Sequence, residues 1–233
     1  MFLFLKLYFA HLLGDFVLQF EELYQLKIRS QLGHFFHVMI HALLMIVVTL
    51  PYLDMSFMWF FICGVVAVHY MQDNLKYRLQ LKFPQHRFFL FVADQLLHGL
   101  VVATILLFPA SREVRTFDGQ PWDLFYAHSF WALLAIAFVL TTFAGSYLLH
   151  AFRSNFFPGR PDHFITNFEM SHAIVERTTI TGLFLFTVHP ALLGATLLIS
   201  ILRLPSKKLR SMPDFIMSFI YAAFVGLLFR IWL

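Results

Sequence analysis

Charge is scarce in this chain. Lys, Arg, Asp and Glu together make up 13% of its residues against 60% hydrophobic ones, too little polar surface for a water-exposed globule, and the composition points to a chain solvated by lipid. Cysteine is nearly absent: Cys63, inside the apolar run WFFICGVVAV, is the single one, which excludes an internal disulfide and argues against a Cys-based metal site. There is no internal repeat, no low-complexity linker and no stretch that reads as a soluble domain. The pI near 9.3 would suggest nucleic acid in a soluble protein. Here the excess Lys and Arg sit in short loops between apolar runs, where they set orientation, and nucleic-acid binding is rejected.

What the chain does have is 31 phenylalanines and a succession of apolar runs. Runs long enough to cross a bilayer, about 20 residues each, fall at 2–26, 31–50, 56–80, 87–109, 124–152, 165–188, 190–204 and 212–232. The expected fold is therefore all-α, a polytopic membrane bundle of seven to eight helices in one domain, 1–233. Its first part, 1–109, carries four helices, and 110–233 carries the C-terminal ones. The sixth and seventh runs meet at His189-Pro190 and are read either as two spans or as a tilted or re-entrant pair. The first run lacks a basic leader and an A-x-A-like cleavage site, so it is expected to remain as a helix.

Loop charge supports this count. Odd-numbered loops hold Lys27 and Arg29; Lys76, Arg78, Lys82 and Arg87; Arg153 and Arg160; Arg203, Lys207, Lys208 and Arg210. Loops two and six hold no Lys or Arg, and loop four offsets Arg112 and Arg115 with Glu113, Asp118 and Asp123. The odd loops are thus expected on the cytoplasmic side. Trp59, Trp122, Trp131 and Trp232 flank the opposite ends, as interfacial anchors do.

Against this apolar background, four consecutive runs each carry an i, i+4 pair: His11 and Asp15 in HLLGDFVLQ, His37 and His41 in HVMIH, His69 and Asp73 in HYMQD, Asp94 and His98 in DQLLH. On a helix such pairs lie one above the other on one face. Counted at 1.5 Å per residue from the expected cytoplasmic ends, the last three sit roughly 10 to 18 Å deep, with the first somewhat deeper. Three bare carboxylates at that depth would cost about 8 to 10 kcal/mol, so protons, imidazolium partners or a divalent cation must neutralise them. Imidazole with carboxylate is a natural chelating pair for zinc first, and for manganese or iron. Eight ligands exceed one tetrahedral ion, so one or two ions are expected, two of them sharing a carboxylate. The plainer readings are a hydrogen-bonded polar contact between helices or a proton relay.

Around this layer, Gln19 and Gln95 read as residues supporting the ligands or as helix-helix hydrogen bonders. Lys76, one turn beyond Asp73, is placed to pair with Asp73 or with a substrate phosphate. In NFEMSHAIVERTT, Glu169, His172 and Glu176 share a face. Glu176 reads as a further ligand or general base and Arg177 as an anion clamp, or the two as a structural salt bridge. His86, His128, His150, His163 and His189 fall near loops or helix ends and read as interfacial.

HLLGDFVLQ, HVMIH, HYMQDNLKYRL, FVADQLLHGL and the Glu-Arg of IVERTTITGL together resemble the bacterial multi-helix membrane family known as domain of unknown function thirty-three-oh-seven. The resemblance covers about the first 100 residues; the remainder matches loosely, mainly at Glu176-Arg177, and the family's basic segment is reduced here to RLPSKKLR. It implies a polytopic inner-membrane protein and no particular activity. The His/Asp pattern is more distantly similar to membrane-bound metal-dependent hydrolases.

The leading expectation is a metal-dependent hydrolase of the cytoplasmic leaflet. In it His11, Asp15, His37, His41, His69, Asp73, Asp94 and His98 hold the metal, and Asp94 or Glu176 takes the proton. Lys76 and Arg177 bind a lipid-like substrate, with membrane lipid, a homo-oligomer or a larger membrane complex as partners. The alternatives are a divalent-metal or proton transporter or channel, and a non-catalytic membrane subunit whose polar layer is structural or binds haem or quinone.

Overall fold

The first apolar run does not continue to residue 26. Helix α1, Phe2–Leu12, widens into a π turn at Leu13–Val17. The chain then bends by 87° into a separate short helix, α2, Glu21–Arg29. Phe20 takes an extended backbone (φ −68°, ψ 165°), and Gln19, Glu21 and Glu22 end the apolar stretch just there. The expected single helix over 2–26 is corrected to these two elements. The computed structural model describes residues 2–117, 119, 122–156, 167–187, 189, 194 and 212–232, and every regular element among them is helical. The chain is all-α.

Ser30 closes α2 and opens α3, Gln31–Val48. Its hydroxyl donates to the Leu26 carbonyl at 3.1 Å and accepts from the Gly33 amide at 3.0 Å, satisfying one carbonyl of the helix that ends and one amide of the helix that starts. The two helices cross so closely that a Cβ on Gly33 would fall 2.2 Å from the Leu26 carbonyl group. Helix α4 runs over Ser56–Lys82 and α5 over Arg87–Ala103, followed by a 3₁₀ turn, Thr104–Leu107. Leu3, Leu7 and Ala10 of α1, Met45 and Val48 of α3, Met58, Ile62 and Val65 of α4, and Val102 of α5 form the apolar core of these helices. Short α6, Asp123–Ala127, is tied to this core by polar bonds. Buried Lys6 donates to the Tyr126 carbonyl at 2.6 Å, and the Tyr126 hydroxyl donates to the Val47 carbonyl at 2.6 Å.

The expected run 124–152 is interrupted as well: α6 is followed by α7, Ser129–Val139, a π turn, Leu140–Ala144, and α8, Gly145–Phe156. Helices α9, Asn167–Phe186, and α10, Met212–Arg230, follow. Apart from residue 194, the expected run 190–204, and with it the choice between two spans and a re-entrant pair, lies outside the described residues. The chain forms two compact units, Met1–Ala132 and Leu133–Leu233. In the second, α9 and α10 pack through Ile180, Ala222 and Ala223, with Phe184 and Phe219 against them.

Among the described residues three helical stretches are long and apolar enough to cross a membrane: Gln31–Val48, Pro84–Leu107 and Ser129–Phe156; the bent pair of α1 and α2 makes a fourth if it counts as one span. The 27-residue α4 has the length. It falls short in hydropathy because His69, Gln72, Asp73, Asn74, Lys76 and Arg78 fill its second half.

Candidate metal centre

The four i, i+4 pairs converge. His11 and Asp15 come from α1 and its π turn, His37 and His41 from α3, His69 and Asp73 from α4, Asp94 and His98 from α5, and all eight side chains are buried. Each helix presents its pair on the face turned toward the other three, beside the apolar core. The π turn shapes this meeting point: an extra residue in the turn re-aims Asp15, and Gly14 lets the His41 ring lie directly against the backbone of the turn.

Asp15 is the hub. Its Oδ1 lies 3.2 Å from His41 Nε2, 3.3 Å from His37 Nε2 and 3.7 Å from His69 Nε2. Its Oδ2 lies 3.5 Å from His11 Nε2 and accepts from Gln95 Nε2 at 3.0 Å. The rings crowd together, with centroids 4.1 Å apart for His41 and His69 and 4.3 Å for His69 and His98. His37 Nε2 and His69 Nε2 face each other at 3.3 Å. His11 Nε2, His41 Nε2 and both ring nitrogens of His98 are buried without a hydrogen bond. Left unmade, each such bond costs about 1–3 kcal/mol. Lone pairs converging on one point are what a metal ion would satisfy.

Two lysines complete the electrostatics. Lys27, on α2, places Nζ 2.6 Å from Asp73 Oδ2 and donates to Gln19 Oε1 at 3.1 Å. That Asp73 oxygen also lies 3.3 Å from His37 Nε2 and 3.5 Å from His69 Nε2. Lys76 places Nζ 2.7 Å from Asp94 Oδ2, which also accepts from Gln95 at 3.2 Å; Asp94 Oδ1 lies 3.6 Å from His98 Nδ1. Of the two partners expected for Lys76, Asp73 or a substrate phosphate, Asp73 is not the one it meets: its ammonium pairs with Asp94 on the next helix. Two of the three carboxylates already carry an ammonium, and among the described residues the third, Asp15, carries none.

Among the described residues, three donor groups are tight enough to hold an ion, their ligand atoms lying within 4.8 Å of one another: His11, Asp15, His41 and His69; His37, His69 and Asp73; and Asp15, Asp94 and His98. The first has four donors and no ammonium on any of them. The second and third each include a lysine-paired carboxylate. Gln95 spans Asp15 and Asp94 and so fixes two carboxylates at once, while Gln19 acts one step further out, on Lys27.

Two members escaped the sequence reading. Lys27 counted as a loop charge, and only the bend into α2 carries it back over the cluster. His34, buried one turn before His37 with its ring against Tyr70 and Tyr77, extends the α3 face to i, i+3, i+7; that spacing was the available signal. Glu176 and Arg177 belong to the second unit, where both are buried. Arg177 donates from Nε to the Ala173 carbonyl at 3.2 Å and from a terminal nitrogen to Ser146 Oγ, beside the second π turn.

Comparison with curated proteins and with solved structures returns no match. A family model does match, over residues 3–125, a stretch that contains all four His/Asp-bearing helices; the chain belongs to the family described as Protein of unknown function (DUF3307).

Proposed function

We propose that this chain is an integral membrane protein whose first unit holds a divalent metal ion and uses it to hydrolyse a lipid-like substrate. The observation that carries the reading is the group His11, Asp15, His41 and His69: three imidazoles and one carboxylate, all buried, within 4.8 Å of one another. Three nitrogens and one oxygen suit zinc, with manganese or iron as the next choices. An embedded protein accounts for the apolar side chains left exposed along α3, with Leu32, Phe35, Phe36, Met39, Leu43 and Val47 all on the surface. The excess of Lys and Arg in the odd-numbered loops supports a cytoplasmic side for them, and with it a bacterial inner membrane.

When bound, the ion would supply a water acidified toward neutrality and a Lewis acid for the scissile carbonyl or phosphoryl. The chain's own groups do the rest. Asp94 keeps Oδ1 free of both Lys76 and Gln95, so it is the carboxylate available to take a proton. Lys76 and Gln95 hold it in place through Oδ2. With Asp73 and Asp94 paired to lysines, the charge of Asp15 alone would leave a divalent ion with one positive charge in excess. A hydroxide or an anionic group of the substrate would balance that.

A second reading, a divalent-metal or proton transporter, draws on a specific feature: the three donor groups overlap, sharing His69 and Asp15, as stations along a path would. Elemental mass spectrometry on detergent-purified protein tests the metal. One zinc, manganese or iron per chain, lost in His41→Ala, supports it, and metal-free folded protein overturns it. Chelator-sensitive cleavage of short-chain lipid esters or phosphoesters then supports the hydrolase, whereas metal uptake into proteoliposomes without cleavage favours the transporter.

A further inference from the structure

We propose that His37, His69 and Asp73 form an outer loading seat, guarded by Lys27. An incoming divalent ion lands there before passing through His69 to the inner seat of His11, Asp15 and His41. The inference rests on the metal reading above and adds how the ion gets in.

The first observation is the position of the Lys27 ammonium. Its Nζ lies 2.6 Å from the Asp73 oxygen that also faces His37 and His69, at 3.3 and 3.5 Å. A cation already stands at the mouth of this donor group, on a flexible tether. Among the described residues, none stands at the inner seat. Lys27 is a built-in stand-in: it keeps Asp73 neutralised while the seat is empty and must step aside for a metal ion.

The second observation is where Lys27 comes from. Helix α2 turns 87° from α1, so it lies across the end of the bundle. Successive residues sit 100° apart around it, which puts Leu23 and Lys27 together on one side; Leu23 is buried and the Lys27 side chain is 13% exposed. Glu21, Gln25 and Arg29 share the opposite side, joined by side-chain hydrogen bonds from Gln25 to Glu21 and from Arg29 to Gln25. The helix is a cover with a water-facing top and Lys27 on its underside. The donor group directly beneath it is the one containing Asp73.

The third observation is the shared ligand. His69 Nε2 faces Asp73 Oδ2 at 3.5 Å and Asp15 Oδ1 at 3.7 Å. One imidazole nitrogen offers one lone pair, so the outer and inner seats cannot both use His69. Occupancy is therefore sequential. The ion displaces Lys27 from Asp73, is held by His37, His69 and Asp73, and moves inward without leaving His69. Lys27 then returns to Asp73.

Cobalt(II) added to metal-stripped protein in detergent micelles, followed by its visible absorption in a stopped-flow instrument with the end point checked by elemental analysis, tests this. Wild type and Lys27→Arg should load one ion slowly. Lys27→Gln should load at least tenfold faster, and Asp73→Asn at least tenfold slower, each still ending with one ion per chain. A shared folding defect cannot imitate opposite changes in rate. Wild-type loading rates in Lys27→Gln and Asp73→Asn would overturn the proposal. So would loss of the ion in Asp73→Asn, which would make Asp73 a resident ligand, or a second ion in Lys27→Gln. Wild type that takes up no cobalt would instead overturn the metal reading itself.

Discussion

Gly14 lies flat against the imidazole of His41: a Cβ on Gly14 would come 2.5 Å from both Cε1 and Nε2 of that ring. No close-packed interior absorbs such an overlap without moving the ring. Gly14→Ala should therefore displace His41 from the donor group it shares with His11, Asp15 and His69. The expected outcome is protein that still purifies as a single species and retains less than a tenth of the wild-type metal. Full metal content in the variant would show that His41 is not a ligand.

Gln95 donates to Asp15 at 3.0 Å and to Asp94 at 3.2 Å. Groups that orient metal ligands typically contribute a factor of about 10 to 100 in affinity. Gln95→Leu should weaken metal binding by that factor in competition with a chelator of known affinity. An unchanged dissociation constant would assign Gln95 to helix-helix contact alone.

The Lys76–Asp94 pair has its carboxylate almost wholly buried, with a side-chain exposure of 3%. Removing one partner of such a pair leaves a bare buried charge and costs about 3–5 kcal/mol. Lys76→Met should lower the unfolding midpoint in micelles strongly, and adding Asp94→Asn should recover most of the loss. If the double variant is as unstable as the single one, the pair is not what holds α4 to α5.

Metal binding should weaken on acidification. His11, His41 and His69 bind an ion only as neutral imidazoles, so protons compete for the same nitrogens. As the pH falls, the logarithm of the dissociation constant should rise by up to one per unit for each imidazole that a proton takes from the ion. Titration with cobalt(II) at several pH values measures the slope, and a flat profile down to the acid limit of the folded protein would overturn ligation by these three imidazoles.

In the second unit, a Cβ on Gly226 would lie 2.7 Å from Phe184 Cβ and 2.8 Å from the Thr181 carbonyl. Gly226→Val overpacks the contact between α9 and α10 and should cost about 1–3 kcal/mol. Metal content should not change. Metal loss in this variant would show that the first unit does not hold its ion independently.

The i, i+4 spacing on four successive apolar runs was enough to single out the eight His and Asp residues that meet in the structure, because a helix puts such pairs on one face whatever surrounds it. The same local rule did not find the ion pairs. Spacing offered Asp73 as one partner for Lys76, while packing gave Lys76 the carboxylate of Asp94 across the interface and gave Asp73 to Lys27. A sequence shows which groups share a face and not which face lies opposite.

By itself, the sequence determined that the chain is helical and apolar and that four helices each carry one polar pair, since composition and a 3.6-residue period need no partner to act. Only the tertiary structure decided that the first run bends into a cover, that Lys27 and Lys76 neutralise two of the three carboxylates, and that the donors divide into overlapping groups around Asp15 and His69. Those outcomes depend on contacts between residues far apart in the chain, 80 positions in the case of Gln95 and Asp15. Desolvation inside the bundle, not local propensity, decides which charges must meet there.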